Sequence, residues 1–263
     1  MNTDFLKVMT IVLMLAVAIT GCDKAAETVS KMDSEITIAM SESSLRTLQL
    51  YLSTTKIYPC CNYPIDLSWK KSSNTIDISV KGVIETDICL TALGPATATI
   101  DLGALSNGTY LLNFHIGNLK RSGELIVSSD SYKMNLVDNP NFRFTNTPLN
   151  KVPENTIWGI VGYHEQGSTP LAQLFLNDLM NLGAEKKKYN TGYYTEFEID
   201  ENGEYADTGV LWGYWFHKLF IFHYSGNIAD VDSLVEQYAR NYNEKLSIIV
   251  NTDKGERFLS WMY

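Results

Sequence analysis

The sequence predicts two domains, an all-β sandwich followed by an α+β domain with two helices on a mainly antiparallel sheet. Three observations predict it. Over residues 35–137 apolar and polar residues alternate, and no helical period interrupts them. Residues 138–155 lose periodicity, and from residue 156 strand-like runs are interspersed with two stretches whose apolar residues recur at helical spacing. A chain of 263 residues is long enough for two such units, each burying its own core.

The chain opens with Lys7 as a thin positive region, partly offset by Asp4. Residues 8–20 then form an uncharged, largely apolar run of thirteen. A bilayer-spanning helix needs about 20 such residues, so this run has the length of a signal-peptide core. It ends in Ile19-Thr20-Gly21-Cys22: a branched apolar residue, two small residues, then cysteine. These four residues resemble the lipobox of bacterial lipoproteins. The resemblance implies that a signal peptide, residues 1–21, is removed. It also implies that the Cys22 thiol carries a diacylglyceryl group and the new amine a palmitate-type acyl chain, making the membrane a partner through a lipid anchor. One myristoyl chain binds a membrane only marginally and each buried methylene adds about 0.8 kcal/mol, so three chains anchor permanently. The location implied is the bacterial cell envelope, the outer membrane or cell surface being favoured over the inner membrane. Residues 22–34, polar and free of aromatics, read as the lipidated cysteine and a flexible tether.

In the first domain, residues 35–137, Leu48, Leu50 and Leu52 alternate with Thr47, Gln49 and Tyr51. Ile76, Ile78 and Val80 alternate with Thr75, Asp77, Ser79 and Lys81. Period two places each apolar set on one face of a sheet. Further runs at 96–102, 109–116, 124–127 and 132–137 are separated by the turn pairs Gly94-Pro95, Asn107-Gly108 and Ser122-Gly123. Short strands at this spacing predict a sandwich. Leu105-Ser-Asn-Gly-Thr-Tyr110 resembles the approach to a late strand in immunoglobulin-like sandwiches, which implies a tyrosine whose hydroxyl bonds back to the chain. Leu112 stands where immunoglobulins place a cysteine, so the resemblance is to the architecture, without its inter-sheet bridge.

Residues 138–155, with three prolines and five asparagines, read as a linker that Phe142 and Phe144 can dock onto a neighbour. In the second domain, residues 156–263, a strand over 156–164 precedes Ser168-Thr169-Pro170, a helix start. Leu171, Leu174, Phe175, Leu179 and Leu182 are its predicted apolar face and Gly183 its stop. A strand over 193–199, a turn at Asp200-Glu-Asn-Gly203 and an aromatic stretch over 210–224 follow. Asp230 can cap a second helix, and strands over 246–251 and 257–262 close the domain. The order fits two helices on one face of the sheet, with a ferredoxin-like arrangement as the first expectation.

A formal net charge of −9 argues against nucleic acid as a partner. Beyond Cys22 the cysteines are Cys60, Cys61 and Cys89. In an exported chain this odd number predicts one disulfide, Cys89 with either Cys60 or Cys61, and one spare thiol. A bridge within Cys60-Cys61 would be strained, and a metal site on these cysteines lacks a nearby fourth ligand.

No cofactor motif is present, and no metal site is expected. Asp200-Glu-Asn-Gly-Glu204 places its glycine fourth, where a calcium-binding EF-hand loop wants it sixth, so a hairpin tip is the reading. His217 and His223 lie about 20 Å apart along a strand and read as ordinary strand residues. His164 and Glu165, a base and a carboxylate at a strand end, are a weak polar-site candidate, without any HExxH, GxSxG or phosphate-cradling glycine loop beside them. The candidate binding residues are the aromatics Tyr193, Tyr194, Trp212, Tyr214 and Trp215, with Tyr194, Trp212 and Trp215 expected exposed. Such a surface provides stacking platforms for sugars or anchors for a protein. The function expected is therefore a non-catalytic envelope lipoprotein binding a protein or glycan partner. A hydrolase in the α+β domain and a structural subunit of a surface assembly are the alternatives.

Overall fold

The computed structural model describes residues 28–90, 92–136, 141–207 and 213–263. Cys22 and the whole lipobox, and Trp212, lie outside the described residues. The described chain is mostly β-strand with two helices, and a β-rich sandwich makes up its first half. No helix among the described residues is long and apolar enough to cross a membrane.

The strands of the first half are β1 (Thr28–Lys31), β2 (Ile36–Glu42), β3 (Leu48–Tyr58), β4 (Ile65–Ser72), β5 (Thr75–Glu85), β6 (Gly94–Asp101), β7 (Gly108–Ile116), β8 (Leu119–Val127), β9 (Ser131–Leu136), β10 (Phe142–Phe144) and β11 (Leu149–Asn150). The second half holds β12 (Thr156–Tyr163), helix α1 (Thr169–Asn181), β13 (Gly192–Tyr193), β14 (Glu198–Ile199), β15 (Phe216–His223), helix α2 (Ile228–Tyr242), β16 (Ser247–Thr252) and β17 (Arg257–Leu259).

Two sheets close over one core. The first runs β1-β5-β7-β8-β9-β11-β13-β14, with β4 on the other side of β5; the second runs β10-β2-β3-β6. Alternation does what the sequence predicts. Ile36, Ile38 and Met40 of β2 and Leu48, Leu50 and Leu52 of β3 point inward against Ile76, Ile78 and Val80 of β5 and Leu112 and Phe114 of β7. Cys89 is bonded to Cys60, and Cys61 is the free cysteine among the described residues.

Two stretches expected to lack structure supply strands. Thr28–Lys31, within the expected tether, pairs antiparallel with the end of β5, Ser30 opposite Val83. In the expected linker, β10 lies parallel to β2 with Phe142 opposite Ile36, and β11 pairs with both β9 and β13. Phe142 is buried, its ring 4.9 Å from that of Phe114. The prolines and asparagines there end elements without preventing three-residue pairing.

The third sheet, β15-β12-β16-β17, is antiparallel throughout. Both β15 and β16 run antiparallel to β12 between them, and α2 joins them, a split β-α-β unit. On the outer side of β15 a single bridge links Glu185 with His223. All eight residues of β12 are buried, because both faces are covered. Val161 and Tyr163 face the helices, while Trp158 faces Tyr189, Tyr194, Phe197 and Ile199.

The helices form where periodicity places them, with different caps and faces. Ser168 precedes α1 without a side-chain cap bond, and Pro170 stands in its first turn. The buried face is Ala172, Phe175, Leu176 and Leu179, whereas Leu174 and Leu182 of the predicted stripe are exposed. Gly183 closes the helix at a φ of 102°, in the left-handed region that favours glycine. The cap of α2 is Asn227, whose side chain accepts the Ala229 N–H at 3.3 Å; Asp230, the expected cap, sits inside the first turn.

Candidate functional site

The expected aromatic platform is divided by the alternation of the chain. Trp215, just before β15, is 81% exposed, and Tyr193 in β13 is 40% exposed. Tyr194 is the correction: it is 4% exposed. As the next residue along an extended chain it must face the opposite way from Tyr193. Its ring stacks on Phe197 at 4.5 Å and its hydroxyl donates to the Asn190 carbonyl at 3.1 Å. Burial pushes its phenol up to about 12.

Tyr214 is half-buried and anchored. Its hydroxyl donates to Ser247 Oγ at 2.6 Å, and its ring lies across Gly162, where a Cβ would come within 2.2 Å of it. The His164 ring is 5.5 Å from that of Tyr214, and His164 and Glu165 are both exposed at the end of β12. Among the described residues neither side chain is hydrogen-bonded or ion-paired to another group, and no nucleophile is aligned with them.

Tyr193 and Tyr194 instead join residues that the sequence does not mark as a site, among them His217, read above as an ordinary strand residue. With Phe197, Tyr205, Glu196, Glu198, Asp207 and His217 they line an open cleft of about 300 Å³. The segment over 193–207 reaches across the face of the third sheet away from the helices, where His217 and Leu219 of β15 also point. His217 Nε2 lies 2.9 Å from Asp207 Oδ2. The ring of Tyr205 is 5.5 Å from Phe197. Desolvation first, and then the charge of Glu196, push the Tyr205 phenol up to about 12, so it stays a neutral ring at any physiological pH. Asp200 lies outside the cleft. Its carboxylate accepts the N–H groups of Glu204 and Asn202, both at 2.9 Å, and these bonds hold its pKa below the usual carboxylate range.

The polar groups at the other end of the cleft are spent on structure. Asn146 Oδ1 accepts the Met40 N–H at 2.7 Å and its Nδ2 donates to the Met40 carbonyl at 2.6 Å. Thr195 Oγ1 is bonded to the Glu42 backbone at both its N–H and its carbonyl. Among the described residues Glu196 and Glu198 form no ion pair.

A larger cleft of about 510 Å³ lies nearby, lined by Glu42, Arg46, Tyr132, Lys151 and Tyr194 among others. Its buried carboxylate accepts three hydrogen bonds. Glu42 accepts from Tyr132 Oη at 3.1 Å, Arg46 Nη1 at 3.0 Å and the Val152 N–H at 3.4 Å. Arg46 also donates to the Val152 carbonyl at 2.6 Å and lies 3.7 Å from Asp253. A buried carboxylate with three of its roughly four acceptor sites filled from three separate chain segments serves to tie those segments together.

The one signal for the smaller cleft in the sequence is compositional: residues 189–217 contain six carboxylates and no lysine or arginine, with aromatics interleaved. No protein family, curated protein or solved structure matches this chain.

Proposed function

We propose that the chain is a non-catalytic lipoprotein of the bacterial envelope, most readily of the outer membrane or cell surface, held through Cys22 and presenting a surface that binds a protein or glycan partner. The observation that carries the reading is the exposure of Trp215 and Tyr193 on a well-packed scaffold. A tryptophan costs apolar surface to leave in water, and large exposed aromatics are the residues that anchor partners. In this reading residues 35–137 form an immunoglobulin-like domain, supported by two sheets over one core and by the corner bond from Tyr110 Oη to the Ser106 carbonyl at 3.0 Å. Residues 156–263 form an α+β domain with a ferredoxin-like split unit. Residues 138–155 strap the two together. A hydrolase centred on His164 and Glu165, or a subunit of a surface assembly, are the competing readings, and no specific contact favours either.

Two variants separate anchoring from binding. Cys22→Ala should lose labelling by a palmitate analogue and leave the membrane fraction. The double variant Tyr193→Ala, Trp215→Ala should stay labelled and folded, yet lose the protein or glycan that the wild type retains from an envelope extract. Equal retention by both proteins would remove the support for this surface.

A further inference from the structure

The first sheet leaves one strand edge open, at the end opposite β13 and β14. β4 lies outside β5, and among the described residues no strand pairs with its other side beyond the single bridge from Pro64 to Thr97 of β6. Parity fixes which groups that edge presents. The Pro64 carbonyl accepts the Ile84 N–H at 3.0 Å, toward β5, and the Tyr63 carbonyl accepts the Thr97 N–H at 3.1 Å, away from it. Successive residues of a strand turn their backbone groups to opposite sides, so Leu67, Trp69 and Lys71 present theirs to the open edge. We infer that this edge pairs antiparallel with β4 of a second copy of the chain, about a two-fold axis at Ser68.

The sequence of the edge is complementary to itself in that one register. A two-fold contact sets the same patch against itself, so every pairing occurs twice. Centred on Ser68, it places Asp66 opposite Lys70 of the second copy and Leu67 opposite its Trp69. Leu67 and Trp69 then exchange their outward backbone bonds, while Asp66 and Lys70 form a non-hydrogen-bonded pair, the kind whose Cα atoms come closest, about 4.5 Å apart. Lys70 is 77% exposed and its Nζ lies 3.9 Å from Asp77, its register partner on β5; Asp66 meets Lys81 through Oδ1 at 3.3 Å. Both have room for another partner, and pairing completes a row of alternating charge: Asp77, Lys70, then Asp66 and Lys81 of the second copy. On the other face Trp69 is in register with the buried Ile78, yet it is 39% exposed. Leu67 of the second copy covers it, an aromatic–aliphatic cross-strand pair. Centring on Trp69 would set Lys70 opposite Ser68, and centring on Leu67 would set Asp66 opposite Ser68; neither neutralises a charge. Lysines on an edge strand keep foreign strands away. Asp66 in step with Lys70 makes the edge selective for its own copy, while Lys71, with its Nζ 5.7 Å from the centre of the Tyr110 ring, stands outside the paired stretch.

The test is cross-linking of the full chain in living cells, in a Cys61→Ser background that leaves the Cys60–Cys89 bridge in place. Ser68→Cys puts a thiol on the axis, where the two Cα atoms lie within disulfide reach. Ser72→Cys, exposed on the same strand but off the axis, is the collision control. The expected result is a covalent dimer on non-reducing gels with Ser68→Cys and little or none with Ser72→Cys. In the Ser68→Cys chain, Asp66→Lys and Lys70→Asp should each set like charges opposite one another and lower the dimer yield about tenfold. The double variant Asp66→Lys, Lys70→Asp restores opposite charges and should recover the yield, which a merely structural loss in either single variant would not do. Circular dichroism of the purified variants checks that each has folded. No dimer with Ser68→Cys, equal yields with Ser68→Cys and Ser72→Cys, or a charge swap in a folded chain that fails to restore the yield overturns the inference.

Discussion

Thr195 and Glu42, separated by 153 positions, are hydrogen-bonded to each other twice: the Glu42 N–H donates to Thr195 Oγ1 at 2.7 Å, and Thr195 Oγ1 donates to the Glu42 carbonyl at 3.2 Å. One hydroxyl thus extends the end of β2 into the segment that carries the cleft. The neighbouring residues, Tyr194 and Glu196, face the aromatic core and the open side respectively, so this pair sets where both point.

Thr195→Val keeps the shape and removes both bonds, leaving the Glu42 N–H and carbonyl without their partner. The expected cost is about 1–3 kcal/mol, the range for leaving buried polar groups unsatisfied. Denaturant unfolding measures it, and Thr195→Ser should recover most of it. A neutral Thr195→Val would show that the contact is incidental.

The tyrosines make stability fall in alkali. Tyr194 and Tyr205 are each raised to about 12, chiefly by burial, whereas an unfolded tyrosine ionises near 10. Between those values the native state holds protons that the unfolded chain has released, so stability declines as pH rises. The contribution is intact below about pH 10 and is lost as pH passes through about 12, with a limiting slope of about 1.4 kcal/mol per pH unit for each group. Urea midpoints at about pH 9 and pH 11 should show the decline, and Tyr194→Phe should flatten it. An unchanged slope in Tyr194→Phe would contradict burial of that phenol.

The cysteines give a prediction in which adjacent residues differ. In a Cys22→Ala background the native chain should take up one equivalent of a thiol reagent, at Cys61, and three after unfolding and reduction. Cys60 and Cys89 are 29 positions apart, and closing a loop of that length stabilises by about 3–4 kcal/mol in the chain-entropy account. Cys89→Ser should therefore lower stability by that order. Labelling at Cys60 in the native chain would contradict the pairing.

How much was legible follows from how local each signal is. The strand β2 and the first halves of β3 and β5 alternate cleanly because one face of each meets the shared core, whereas β7 buries Leu112, Asn113 and Phe114 in succession. The helices showed through their period, though which leucines of α1 face inward depends on where the sheet lies, and Leu174 and Leu182 were misplaced for that reason. β4 gave no alternation to read, since only Ile65 of its eight residues is buried. The linker strands are two and three residues long, too short for any periodic pattern. At the site, Tyr193 and Trp215 were recognisable as aromatics, but their exposure, and the burial of Tyr194 between them, is decided by packing. His217 and Asp207 meet because β15 passes beneath the segment over 193–207, and Thr195 reaches Glu42 across most of the chain. No short motif encodes either contact.

The binding surface is tested most directly by placing a photo-crosslinking residue at Trp215, and separately at Tyr193, in the lipidated chain in living cells. Lys133, an exposed position on β9, serves as the control. The account predicts a discrete, reproducible adduct at Trp215 or Tyr193 that is absent at Lys133. Adducts of equal yield at all three positions, or none at Trp215 and Tyr193, would contradict it.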